Sequence, residues 1–168
     1  MLALWVALIA VGIQRGTELW LARKNQAWAL AQGAKEYGQR HYFLFFGLHL
    51  GWMLGWFVEG SLRHSISPHW EGWLGLFLAA QGLRYWAIAS LGPYWNTRIL
   101  IVPNAQRVRR GPYRFMAHPN YLAVGLELLA LPLIFDAWIT ALVASLLNAL
   151  LLLGVRIPAE EQALRELG

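Results

Sequence analysis

The sequence contains no cysteine, which excludes disulfide bonds, thiolate catalysis and zinc or iron–sulfur sites built on cysteine. Charge is also scarce: charged residues make up 14% of the chain, whereas a typical soluble domain has about 25%. Apolar residues account for 58% instead, which argues against a soluble protein. The 168 residues are enough for one compact bundle and leave no room for a second catalytic module.

Five apolar segments have the composition of membrane-spanning helices, which need about 20 residues each to cross the hydrocarbon core. Ten Trp and six Tyr suit the aromatic belts at membrane interfaces. We therefore predict an all-α integral membrane protein with about five transmembrane helices, a C-terminal helical hairpin and a short cytosolic helix. The predicted spans, within one domain over residues 1–168, are residues 2–22, 41–59, 70–91, 121–135 and 137–157.

The distribution of basic residues predicts the orientation of these spans. Eleven of the fourteen Lys and Arg residues lie in the loop after the first span, the loop after the third span, or the C-terminal segment. Such loops face the cytosol by the positive-inside rule, so we expect the amino terminus outside and the carboxyl terminus in the cytosol. This topology also accounts for the net charge of +5, and we expect no nucleic-acid partner.

Charged side chains inside the predicted spans require a partner or a function, because each costs at least ~2.5 kcal/mol at bilayer depth. Arg15 and Glu18 are three residues apart on one face of the first span, which favours an ion pair within that helix. Arg84 in the third span and Glu127 in the fourth have no such neighbour on their own helices. They either pair with each other across the bundle or line a pocket.

The loop before the fourth span combines arginines with proline-marked turns. Gly111-Pro112-Tyr113-Arg114 and His118-Pro119-Asn120-Tyr121 stand immediately before a predicted helix. A helix amino terminus offers free N–H groups and a positive dipole end, which suit a carboxylate or similar anion. The positive-inside rule explains the arginines but not these turns, so we predict a ligand-binding loop.

A second polar segment follows the last span, where Arg156 precedes Pro158, Glu160 and Glu161. We expect Pro158 to break or kink the helix. Two carboxylates and an arginine then meet at the membrane surface. The alternative is an ordinary helix start, with Pro158 at its first position and an ion pair between Glu161 and Arg165.

These two segments, in this order around a helical hairpin, resemble the isoprenylcysteine carboxyl methyltransferase family of membrane enzymes. The likeness depends on both motifs before the fourth span and on Arg156 followed by Glu160-Glu161-Gln162-Ala163-Leu164. Residues 26–38 and 94–98 look similar to bacterial members that methylate long-chain alkylpyrones. Two positions depart from the family pattern: Ala117 stands where the family has arginine, and Ala123 where many members have glycine.

The resemblance implies a transferase that uses S-adenosyl-L-methionine (SAM), releases S-adenosyl-L-homocysteine and needs no metal. It implies catalytic roles for Arg156 and Glu161, which would face the reacting end of the substrate. A lipophilic acceptor would enter from the bilayer between helices: an alkylpyrone enol, or an isoprenylcysteine carboxylate. The bacterial likeness implies the inner membrane, with the active site in contact with the cytosol and membrane lipid. The cofactor-binding residues implied are Tyr113, Arg114, His118, Pro119, Tyr121 and Glu160.

Two other functions compete with this interpretation. A membrane reductase of the sterol-reductase type looks similar in its C-terminal helices, and its NADPH phosphates would suit Arg107, Arg109 and Arg110. A small membrane scaffold would explain the buried charges but gives the paired proline-marked motifs no purpose. The three functions can be distinguished by whether SAM, NADPH or neither ligand stabilises the folded protein.

Overall fold

A computed structural model describes residues 1–165 as a bundle of long helices with one small β-ribbon. Helices α1, α2, α3 and the helix that begins at Trp138 are long and apolar enough to cross a membrane, and α4 is a shorter apolar helix. This confirms the predicted helical membrane fold. The main elements are α1 (Leu2–Ala31), β1 (Lys35–Tyr37), α2 (Tyr42–Arg63), α3 (Trp70–Leu91), β2 (Ile99–Ile101), α4 (Pro119–Ile134), α5 (Trp138–Leu151) and α6 (Ile157–Arg165).

Helix α4 occupies the centre of the bundle. Its 16 residues rise about 24 Å, less than the ~30 Å hydrocarbon core. Nine of its residues are buried, so protein rather than lipid surrounds most of it. Pro132 removes the N–H that would bond the Leu128 carbonyl, and Trp52 Nε1 donates to that carbonyl instead, at 3.0 Å. The helix therefore keeps its proline without leaving this backbone oxygen unpaired.

Helix α1 continues nine residues beyond the predicted end of the first span, through a segment expected to be a polar loop. No Gly or Pro lies between Ala22 and Gly33, and Ala22 and Ala29 are buried. Asn25 anchors the extension, because its Nδ2 donates to the Trp95 carbonyl at 2.7 Å. Hydropathy detects only the apolar part of this helix.

The β-ribbon was not predicted. Strands β1 and β2 pair antiparallel, with Glu36 opposite Leu100, and thereby join the loop after α1 to the loop after α3. Arg98 Nη1 donates to Glu36 Oε1 at 2.6 Å and adds an ion pair beside the ribbon. A buried cluster of Ile99, Ile101 and Ala163 packs α6 against it. We call the end of the bundle that carries the ribbon and α6 the loop end.

The C-terminal hairpin is present, but Pro158 does not end its second helix. Asp136 makes the tight turn between α4 and α5 with a positive φ of 56°. Helix α5 then widens into a π-helical turn, Leu152–Arg156, and continues directly as α6. A wider turn accommodates a proline that cannot bond the carbonyl four residues earlier, which belongs to Gly154. The predicted short C-terminal helix is thus present as α6, and it follows α5 without a break in the helical path.

The four charged side chains inside the helices form one network. Arg15 Nη1 donates to Glu18 Oε2 at 2.8 Å, as predicted, and Arg15 Nη2 donates to Glu127 Oε2 at 2.5 Å. Arg84 bonds Glu18 through two nitrogens, at 2.6 and 2.5 Å, and Glu127 at 3.0 Å. Two positive and two negative groups thus neutralise one another between α1, α3 and α4.

Candidate active site

Two cavities meet at the loop end of the bundle. The first, which we call the loop cavity, has a volume of about 410 Å³ and lies among β2, the segment after it, the residues before α4, and α6. The second, the helix cavity, has a volume of about 350 Å³ and extends between the helices. Both volumes lie in the range of small-molecule sites. The residues that line both cavities are Trp95, Asn96, Asn120, Tyr121 and Arg156.

Arg156 is the charged group at this junction. Its Nε donates to the Tyr121 hydroxyl at 3.2 Å and its Nη2 to the Thr97 carbonyl at 3.0 Å. The guanidinium carbon also lies 5.8 Å from the centroid of the Phe45 ring. Both hydrogen-bond partners are neutral, and no carboxylate among residues 1–165 forms a salt bridge with Arg156. Its positive charge is therefore available to an anionic ligand.

Glu160 joins the same constellation through Tyr121. The Tyr121 hydroxyl accepts from Arg156 and donates to Glu160 Oε2. The His118 ring stacks on Tyr121, with centroids 5.1 Å apart and planes 11° from parallel. Pro119, at the first position of α4, places both rings at the amino terminus of that helix. An arginine, a tyrosine and a carboxylate from two elements thus form one chain of contacts.

The Gly111–Arg114 turn contributes Tyr113 to the loop cavity. Gly111 has a φ of +57°, and an added Cβ would lie only 1.9 Å from Ser90 Oγ, so only glycine fits against α3 here. Arg110 fastens the turn, because its Nε donates to the Ser90 carbonyl at 2.8 Å. Burial, together with the negative charge of Glu160, raises the pKa of the Tyr113 hydroxyl. Tyr113 therefore stays neutral at physiological pH and offers a hydroxyl donor.

The structure brings together most of the residues named from the sequence, but not all. Tyr113, His118, Tyr121, Arg156 and Glu160 line the loop cavity. Ala117, at the position of the family arginine, lines it as well.

Three named residues do not line either cavity. Pro119 is buried and acts through the backbone. Arg114 is exposed, with its guanidinium 5.8 Å from the Phe115 ring. Glu161 is also exposed and lines neither cavity, whereas its neighbour Glu160 lines the loop cavity. Glu160 is therefore the carboxylate at the site.

Several lining residues were not named from the sequence. Asn120 Oδ1 and Trp95 Nε1 are buried at the junction of the cavities without a hydrogen-bond partner in the described chain. Asn148, in the last turn of α5, is 3% exposed and lines the helix cavity, with Oδ1 likewise unpaired among the described residues. A lone amide in an otherwise apolar span is the signal that would have singled out Asn148.

The bundle thus joins two cavities at an arginine that has no carboxylate partner among residues 1–165. The chain belongs to the isoprenylcysteine carboxyl methyltransferase (ICMT) family, whose sequence profile matches residues 73–166. The match contains both proline-marked motifs and the segment from Arg156 to Glu161. Family membership implies a membrane methyltransferase.

Two curated relatives extend the similarity beyond that region. The chain is 42% identical over 165 residues to the uncharacterized protein YpbQ of Bacillus subtilis, which covers 96% of each chain. It is 32% identical over 140 residues to an uncharacterized protein of Haemophilus influenzae, covering 82% of this chain and 81% of the relative. No solved structure matches significantly.

Proposed function

We propose that the protein is a SAM-dependent methyltransferase that O-methylates a lipophilic acceptor where the two cavities meet. The acceptor is an alkylpyrone enol or an isoprenylcysteine carboxylate, and the loop end faces the cytosol. The observation that carries the proposal is Arg156, a cation without a carboxylate partner in the described chain, at the junction of a polar and an apolar cavity.

The lining of the loop cavity suits SAM in size and chemistry. A volume of about 410 Å³ falls within the range of cofactor sites. The unpaired Asn120 Oδ1 can accept a hydrogen bond from an amino group, and Tyr113 and His118 offer aromatic surfaces. Glu160 supplies the negative charge that a cationic ligand requires. When bound, SAM supplies a methyl group on a sulfonium, which an in-line displacement transfers to the acceptor oxygen.

The helix cavity suits the lipophilic acceptor. Its walls include Phe45, Phe46, Leu50, Met53 and Val124, and Arg156 and Tyr121 stand at its junction with the loop cavity. An acceptor lying among these apolar side chains would present a carboxylate or acidic enol to the guanidinium. A charge-assisted hydrogen bond there fixes the nucleophile in a water-poor site.

The remaining residues position the Arg156 guanidinium and accept a proton from the acceptor. Tyr121 and the Thr97 carbonyl hold two nitrogens of Arg156, which leaves Nη1 for the acceptor. Glu160 orients the Tyr121 hydroxyl. If the acceptor arrives as a neutral enol, its proton passes to the Tyr121 hydroxyl as that hydroxyl releases its own proton to Glu160. We assign this role to Glu160 rather than Glu161, because Glu161 is exposed and lines neither cavity.

Thermal stability of the detergent-purified protein tests the cofactor first. A ligand present at 100 times its dissociation constant stabilises the folded state by ~2.7 kcal/mol. We expect SAM and S-adenosylhomocysteine to raise the melting temperature and NADPH to leave it unchanged. A shift with NADPH alone would favour the reductase, and no shift with any of them would contradict the methyltransferase assignment.

Methyl transfer from labelled SAM to an alkylpyrone or a prenylated cysteine tests the arginine. Arg156→Ala should reduce turnover by roughly 10²–10³-fold, the effect of losing one charged hydrogen-bond donor at a reacting oxygen, while the SAM-dependent thermal shift persists. Arg165→Ala is the matched control, because Arg165 is an exposed arginine of α6 that lines neither cavity. Equal turnover of the two variants would refute the role of Arg156.

A further inference from the structure

The part of the helix cavity about two helical turns from Arg156 carries unpaired polar atoms. Asn148 is 3% exposed, and its Oδ1 has no hydrogen-bond partner among the described residues. Arg15 Nε, on the opposite side of the bundle, is also buried without a partner, although the other nitrogens of Arg15 bond Glu18 and Glu127. Both side chains line the cavity. A buried acceptor and a buried donor, on two side chains that line this cavity, are therefore left unpaired.

A second buried amide, that of Asn25, has a purely structural role and serves as a comparison. Asn25 is 7% exposed, and its Nδ2 donates to the Trp95 carbonyl at 2.7 Å and the Gly92 carbonyl at 3.3 Å. A buried polar group left unpaired lowers the stability of the folded state. Asn148 makes no comparable contact within the described chain, so a ligand is the partner that would remove this cost.

The charges around Asn148 indicate that the part of a ligand bound there is neutral. Arg15, Glu18 and Arg84 line the cavity, and Glu127 completes their network of two positive and two negative groups. No net charge remains to compensate an ion there. His49 also faces this region and is engaged only through Nδ1, which contacts the Phe45 carbonyl at 2.8 Å. A hydroxyl satisfies these conditions, because it donates to an amide oxygen and accepts from an N–H.

The length of the helix gives the distance between the two polar ends of the cavity. Asn148 and Arg156 are eight residues apart on α5 and its π-helical turn, which corresponds to about 12 Å at ~1.5 Å per residue. Apolar residues that line the same cavity include Leu50, Val124 and Leu152. An apolar stretch of roughly ten carbons spans such a distance.

We propose that Asn148 forms the centre of a second, hydrogen-bonding subsite for the acceptor. The acceptor is then a two-ended lipophile, with the methylated oxygen at Arg156 and a neutral hydroxyl-type group about 12 Å away at Asn148. A plain hydrocarbon tail would leave Asn148 unpaired. The identity of the methylated end rests on the proposed function, whereas the subsite itself does not depend on SAM.

A matched pair of probes tests the subsite: decanoate and 10-hydroxydecanoate, which differ by one terminal hydroxyl. Their dissociation constants are obtained from the ligand dependence of the melting temperature, without SAM, for the wild-type protein and for Asn148→Leu. Asn148→Leu should weaken 10-hydroxydecanoate roughly tenfold relative to decanoate, the effect of one hydrogen bond to a buried group. An unchanged ratio of the two constants, or no binding of either acid, would overturn the subsite.

The stability of the unliganded variants separates a ligand site from a structural role. Asn148→Leu should melt at or above the wild-type temperature, because it removes an unpaired amide, whereas Asn25→Leu should melt lower. If both variants lose stability alike, Asn148 is a structural residue and the proposal fails. The proposed methyltransferase function can fail independently of the subsite. In that case SAM would not raise the melting temperature, although Asn148→Leu would still change the ratio of the dissociation constants of the two acids.

Discussion

The buried charge network makes a quantitative prediction at Glu127. This side chain is fully buried, and its Oε2 accepts hydrogen bonds from Arg15 at 2.5 Å and Arg84 at 3.0 Å. Glu127→Leu leaves two guanidinium groups sharing the single carboxylate of Glu18. Removing one member of a buried ion pair costs about 3–5 kcal/mol, because an uncompensated charge remains. We expect a loss of that size in the free energy of unfolding.

A double variant shows whether charge imbalance is the cause. In Arg15→Met/Glu127→Leu, the remaining pair of Arg84 and Glu18 keeps its two hydrogen bonds, at 2.6 and 2.5 Å, and carries no net charge. Replacing an ion pair by apolar residues of similar volume is often neutral. The double variant should therefore regain at least half of the stability lost by the single variant.

Thermal unfolding of the purified proteins in detergent, followed by circular dichroism, measures both effects. For a chain of this size, a loss of about 3–5 kcal/mol lowers the melting temperature by roughly 6–20 °C. Glu71→Gln is the control, since Glu71 is an exposed acid in the first turn of α3. If the double variant melts no higher than Glu127→Leu, the explanation by charge balance is wrong.

Three further predictions concern the loop end and the opposite end of the bundle. Gly111→Ala should lower the melting temperature by several degrees, because the added Cβ would lie 1.9 Å from Ser90 Oγ. Gly12→Ala is the control and should leave the melting temperature unchanged, because no atom lies within 4 Å of the added Cβ. Equal effects of the two substitutions would contradict this packing. Ala117→Arg should tighten SAM binding roughly tenfold in calorimetry, because a guanidinium in the loop cavity can form a charge-assisted hydrogen bond with the SAM carboxylate. An unchanged affinity would count against the proposed cofactor site. Glu59→Gln should lose about 1 kcal/mol in the same unfolding assay, because Glu59 caps two N–H groups in the first turn of α5, and unchanged stability would show that the cap contributes nothing.

Much of the bundle follows from the sequence because its signals are local. Apolar runs of bilayer length predict the long helices, and Asp136 between two such runs predicts the tight hairpin. The ion pair of Arg15 and Glu18 follows from helical spacing within α1. The resemblance to the methyltransferase family likewise placed Tyr121 and Arg156 in one site, where they are in contact.

The family resemblance assigned catalysis to Glu161 and cofactor binding to Glu160, but the sequence holds no local signal that separates two adjacent and chemically identical residues. Successive residues of a helix point about 100° apart, so the rotation of α6 decides which carboxylate reaches the site. That rotation is set by Ala163, which is buried against Ile99 and Ile101 of the β-ribbon. The ribbon itself pairs two loops more than sixty residues apart, and no local pattern indicates it.

The sequence by itself thus determined a helical membrane protein with a conspicuous arginine, carboxylates and proline-marked turns near one end of its spans. Only the tertiary structure decided which of these groups meet. It paired Arg84 with Glu127 across the bundle and, within residues 1–165, left Arg156 without a carboxylate and the Asn148 Oδ1 without a partner. The physical reason is that the energy of a buried polar group depends on neighbours from distant helices, which only packing brings into contact.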